Sequence, residues 1–165
     1  MSEDKPNLVI DASVLGYACQ NDDFGDICLE TLARAERLFR IVLDHDGHIE
    51  SEYERRMSGR PQNPAARWWV RIVSRVGSRY WCSGKLDQAD QRLLEKSRFH
   101  DDDFPYVAVA KVAGGAPIVH QDSGYCKAEL VIWAVAKSRC LHPPTFIQEL
   151  DATGRLNVDR GGPQP

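Results

Sequence analysis

Apolar residues come along this chain in short runs that alternate with longer stretches of helical spacing. Asn7-Leu-Val-Ile10 follows a proline and stops at Asp11; a short apolar run bounded in this way predicts a buried strand. Between Ile27 and Val42, Leu29, Leu32, Ala33, Leu38, Phe39 and Val42 recur at helical spacing, although the tail Arg40-Ile-Val-Leu43 equally suits a second strand. Asp44-His-Asp-Gly47 then reads as a turn. From Ile49 to Met57, Glu50, Glu52 and Glu54 precede Arg55 and Arg56, the order a helix dipole favours. Gly59-Arg-Pro-Gln-Asn-Pro64 breaks the chain. Beyond it, Ala65 to Val76 predicts a helix with Trp68, Trp69, Ile72, Val73 and Val76 on one face and Arg67, Arg71 and Arg75 on another.

The second half continues the alternation. Helices are expected from Asp87 to Lys96, from Phe104 to Ala113 with Gly114 and Gly115 as its stop, from Lys127 to Lys137, and from Thr145 to Leu150 after two prolines. Ala116 to His120 and Cys140-Leu141 read as strands. Strands alternating with helices predict an α/β fold, a three-layer α/β/α sandwich around a mainly parallel sheet. One domain is expected over residues 1–150, with 151–165 as a flexible C-terminal tail.

Composition narrows the class. A chain of 165 residues, 42% apolar and 27% charged, fits one folded domain and excludes disorder throughout. No run approaches the roughly 18 apolar residues of a membrane span. The acidic N-terminus lacks a signal-peptide pattern, so a cytoplasmic protein without a membrane partner is expected. Five cysteines, odd in number and scattered, contain no C-x-x-C pair and are expected to be buried, inert thiols. A net charge of −3 argues against holding nucleic acid by bulk charge, but not against acids concentrated in a metal site.

Three acids stand out by position. Asp11 and Asp122 follow apolar strands, and Asp103 precedes the Ala-rich helix. In parallel α/β sheets ligands bind outside the carboxyl ends of the strands, where all three acids would meet. An Asp after a strand also serves simply as a turn former or helix N-cap. Converging carboxylates repel, and a hard divalent cation with oxygen ligands, Mg²⁺ or Mn²⁺, resolves the repulsion.

The order and setting of these acids resemble the PIN domain, a family of metal-dependent ribonucleases that includes toxins of toxin–antitoxin pairs. The resemblance runs from Asn7 to Leu150. It rests on Val9-Ile-Asp11-Ala-Ser13, on Glu52-Tyr53 in the helix after the second strand, on Asp103-Phe-Pro-Tyr-Val-Ala-Val-Ala110, and on Gly115-Ala-Pro-Ile-Val-His-Gln-Asp122-Ser123. Leu141-His-Pro-Pro-Thr-Phe146 is similar to the family's closing strand and turn. Many members carry a further Asp two residues after the fourth acid, where this chain has Gly124. Asp101 and Asp102 are alternatives to Asp103, and Glu50 to Glu52.

The resemblance implies an endoribonuclease in which Asp11, Glu52, Asp103 and Asp122 bind Mg²⁺ or Mn²⁺. Asp11 and Asp122 would be the firmest ligands, and Ser13 and Ser123 would orient carboxylates or water. RNA, single-stranded or structured, would be held by Arg55, Arg56, Arg60, Arg67 and Arg71, unless the Arg67–Arg71–Arg75 stripe is only a solvated face. The family context implies a cognate antitoxin protein as partner. Homodimers are common in the family, and Trp68-Trp69 is the region that could support one. His100 and His120 lie beside proposed ligands but have no role in a hard oxygen site. An inactive PIN-like scaffold that binds RNA or protein is the alternative, and the presence of all four acids argues against it. Haloacid-dehalogenase-like phosphatases also place an Asp after the first strand. They need a second Asp two residues on, where this chain has Ser13.

Overall fold

The computed structural model describes residues 5–58 and 63–156. In chain order its elements are β1 (Asn7–Ile10), α1 (Ala12–Ala18), α2 (Asp23–Leu38), β2 (Arg40–Asp44), α3 (His48–Met57), α4 (Pro64–Ser74), β3 (Arg79–Cys82) and α5 (Gln88–Lys96). A single 3₁₀ turn (Asp101–Asp103) leads into α6 (Phe104–Val112), followed by β4 (Ile118–Val119), α7 (Ser123–Ala136), β5 (Cys140–Leu141) and α8 (Pro143–Thr153). The strands form one parallel sheet in the order β3-β2-β1-β4-β5. Helices cover both faces, α1, α2, α4 and α8 packing together on one and α5, α6 and α7 on the other. This is the expected α/β/α sandwich.

Parallel strands need crossover connections, and these set the layering. From β1 the chain steps outward to β2 and β3 through helices on one face; β4 returns to the other side of β1, and α7 then leads to β5 on the opposite face. Being covered on both faces, the central strands read as continuous apolar runs: Leu8, Val9, Ile10, Ile41, Val42 and Leu43 are fully buried. Helix α6 is buried on nearly all sides from Tyr106 to Ala110, so its small alanines allow close approach to β1 and β2.

Several boundaries differ from the sequence reading. The long periodic stretch splits, α2 ending at Leu38 and the tail becoming β2. Helix α1 and strand β3 carried no clear signal and are additional. Helix α4 ends at Ser74, so Val76 leaves the apolar face and is 99% exposed in the turn before β3. Trp68 and Trp69 are buried against Tyr53, in the core of the chain. Helix α8 continues to Thr153, and Leu156 is buried in the core beyond residue 150. Among the cysteines only Cys28 and Cys82 are buried; Cys126 is exposed. No helix among the described residues is long and apolar enough to cross a membrane.

Candidate active site

Because β1 is flanked by β2 on one side and β4 on the other, successive connections leave it in opposite directions. The crevice beyond the carboxyl ends of β1 and β4 is therefore the topological switch point of the sheet. Asp11 follows β1 directly, and Asp122 lies three residues beyond β4. Helix α6 runs back toward β4, which brings Asp103, just before its first turn, to the same edge.

Asp11 is buried and held on both carboxylate oxygens. Oδ2 accepts from the Ser13 amide at 2.9 Å and from the Ser13 hydroxyl, and Oδ1 accepts from the Tyr125 hydroxyl at 2.9 Å. The Ser13 hydroxyl also accepts from the Gln121 amide at 3.0 Å, tying α1 to the segment after β4. Burial pushes the Asp11 carboxyl above its ordinary range, the hydrogen bonds pull it back, and the charge of Asp122 pushes it further up.

Asp122 is exposed and caps α7, its Oδ1 accepting from the Gly124 amide at 2.6 Å. A Cβ at position 124 would lie 3.0 Å from that oxygen, so glycine suits this tight cap. Both strand-end acids are thus N-caps, as residues of this type often are. A carboxylate has about four lone-pair sites, so capping leaves capacity for a cation. Asp103 differs: its side chain caps no amide. Its carboxyl is pushed up to about 7, chiefly by burial and then by Asp11 and Asp122, with nearby His100 opposing. Asp101 and Asp102 point outward from the 3₁₀ turn, 81% and 72% exposed, so of the three only Asp103 is half-buried.

Glu52 stands on α3, its charge reaching the Tyr106 hydroxyl, while its oxygens bind Arg55 at 2.6 and 2.7 Å. Among the described residues, no three of the carboxylates Asp11, Glu52, Asp103 and Asp122 come within 4.8 Å of one another. Asp103 feels the charges of Asp11 and Asp122, and Asp11 that of Asp122, although the carboxylates are not gathered into one tight cluster. Ser123 opens α7 on the surface.

The arginines divide by position. Arg56 lies over Gly16 and lines a crevice with Ser13, Gln121 and Asp122, of about 490 Å³. Arg67 lines a separate hollow with Leu29 and Trp68. Arg71 pairs with Glu36 near the end of α2 at 2.9 Å, toward the amino edge of the sheet and away from the acids. Arg60 lies outside the described residues.

Sequence reasoning missed the hydroxyls beneath the site. Tyr53 donates to the Ile10 carbonyl at 2.5 Å, Tyr106 accepts from the Ala12 amide at 3.3 Å, and Tyr125 holds Asp11. The available signal was spacing: tyrosine follows Asp103 and Asp122 by three residues each, and Glu52 by one. Asp44 was missed as well. It is buried at the end of β2 and accepts from the His48 and Ile49 amides at 2.9 and 2.8 Å, fixing the start of the Glu52 helix. Compared with models of known families and with curated proteins, the chain matches none.

Proposed function

We propose that this protein is a metal-dependent endoribonuclease of the PIN kind, hydrolysing RNA phosphodiesters at the switch-point crevice. The observation that carries the reading is the convergence of Asp11, Asp103 and Asp122 from three separate elements onto that crevice, with Asp11 buried and oriented by Ser13 and Tyr125. The donor set fits Mg²⁺ or Mn²⁺, since it offers only oxygen and concentrates negative charge. Asp11 and Asp122 would hold the ion, with Asp103 and Glu52 reaching it directly or through water. When bound, the ion supplies an activated water and neutralises charge on the phosphodiester transition state. Ser13 fixes the Asp11 carboxylate, and Arg56 supplies positive charge beside it for the RNA backbone. A toxin's role, with an antitoxin partner, and a homodimer rest on the family resemblance alone.

The pairing of Glu52 with Arg55 favours a second reading, a weakly catalytic RNA- or protein-binding scaffold. Incubating the purified chain with labelled single-stranded RNA and Mn²⁺ decides between them. Cleavage that is abolished by EDTA and in Asp11→Asn supports the nuclease. RNA bound without cleavage supports the scaffold.

A further inference from the structure

We infer that His120, Cys126 and His142 form a second metal site, for a borderline-soft transition-metal dication such as Zn²⁺, beside the acidic crevice and chemically distinct from it. The three residues come from three parts of the chain: His120 follows β4, Cys126 closes the first turn of α7, and His142 follows β5. Their ligand atoms all lie within 4.8 Å of one another. Cys126 Sγ is 3.2 Å from His142 Nε2. Zinc bond lengths of about 2.0–2.3 Å place the ligand atoms of a tetrahedral ion roughly 3.3–3.8 Å apart, so closure requires only a small movement. Cys126 is exposed and His142 half-buried, which leaves that movement free.

Orientation of the imidazole is a second, independent observation. His142 Nδ1 lies 3.2 Å from Gln121 Oε1. With Nδ1–H donating to that oxygen, the Nε2 lone pair faces the thiol; metal-bound histidines are characteristically held by an outer hydrogen bond of this kind. His120 is buried and stacked on Tyr125, its centroid 4.7 Å from that of His142. Asp122 and Glu129 add negative charge around Cys126, which suits a cation. Two nitrogens and a sulfur select zinc-like ions over Mg²⁺ or Ca²⁺. Binding converts the Cys126 S–H to a metal-bound thiolate and releases its proton to solvent. A fourth ligand would be water or a side chain not in this set. The ion would clamp the ends of β4, α7 and β5 together, and with them the His120–Asp122 segment.

The test uses the untagged full chain titrated with Co²⁺, a spectroscopic substitute for zinc. One equivalent is expected to give sulfur-to-metal charge-transfer absorption, to be displaced by Zn²⁺ and to resist excess Mg²⁺. Cys126→Ser should remove that absorption, and His142→Gln should weaken Zn²⁺ binding at least about tenfold; Cys19→Ser and Asp11→Asn should leave both unchanged. Circular dichroism establishes that each variant is folded, and His142→Gln carries the test alone if Cys126→Ser fails to fold. Absence of the absorption in the folded wild type, its survival in Cys126→Ser, or its loss in folded Asp11→Asn would overturn the site. The Asp11→Asn result also separates this site from the nuclease reading, which predicts loss of cleavage with the cobalt spectrum intact.

Discussion

The two clusters at the carboxyl edge differ in chemistry and in degree of assembly, although they share the segment from His120 to Asp122. On the β1 side the proposed donors are carboxylate oxygens, spread apart, with Asp11 held on both oxygens and Asp122 on one. On the β5 side the donors are two imidazoles and a thiol, already close together and braced by Gln121. Dispersed oxygens suit a hard ion that keeps part of its water shell, whereas a compact nitrogen–sulfur set suits an ion that gives it up. On the two proposals together, one sheet edge would sort cations by ligand type, and each cluster should break without the other.

The sharpest break is Asp11→Asn, which should reduce RNA cleavage to background while leaving the fold and the cobalt spectrum intact. Next in size is Ser13→Ala. It removes a hydroxyl that both donates to Asp11 and accepts from the Gln121 amide. A drop of about 10- to 100-fold in Mn²⁺ affinity or activity is expected, read by metal titration of cleavage. An equal loss of Zn²⁺ affinity would mean that the two clusters are one unit.

Stability as a function of pH separates them further. Asp103, raised from 3.8 to about 7, contributes stability that is present below pH 4 and lost as pH rises through 7. His120 is lowered from 6.5 to about 4, mainly by burial and then by His142. Its contribution is present above pH 6.5 and lost as pH falls through 4. The two trends oppose each other between pH 4 and 6.5. In EDTA, Asp103→Asn should therefore leave a steady decline toward acid. At pH 8 it should stabilise the protein by about 1–2 kcal/mol, discounted from the roughly 4 kcal/mol of the full shift because the carboxyl is partly exposed. Urea unfolding of both proteins at pH 4, 6 and 8 checks this; equal stability at pH 8 would place Asp103 outside the repulsive cluster.

What could be read from the sequence follows what is locally determined. β1 and Asp11 were legible because a buried parallel strand is a short apolar run with a polar end. The helix α1 beyond it was not, since five of its seven residues are buried and no polar face marks its period. β3 was hidden because it is only four residues long and lies on the sheet edge, where Tyr80 and Trp81 are not buried and no apolar run marks it. The Glu52–Arg55 pair was implicit in the charge order of α3, yet its competition with a metal role emerges only from the folded helix. His142 and Cys126 stand 16 positions apart, and His120 adjoins the acids. Only the neighbouring of β4 and β5 makes them one cluster.

The smallest expected effect concerns what holds the substrate, and it tests whether the acidic edge alone faces RNA. Arg56 lines the crevice with Asp122, whereas Arg71 is committed to Glu36 toward the opposite edge. Arg56→Gln should raise KM for single-stranded RNA and reduce the salt dependence of log KM by about 0.7, the share of one phosphate contact. Arg71→Gln should change neither, because its guanidinium is far from the crevice, and should cost at most about 1 kcal/mol through its surface ion pair. Measuring KM at several salt concentrations for both variants distinguishes local contact from general attraction. Equal effects would mean that RNA senses the summed field of the protein, and the crevice would lose its claim to orient the backbone. An effect confined to Arg56 would align the RNA path with Asp11 and Asp122, and so with the oxygen cluster.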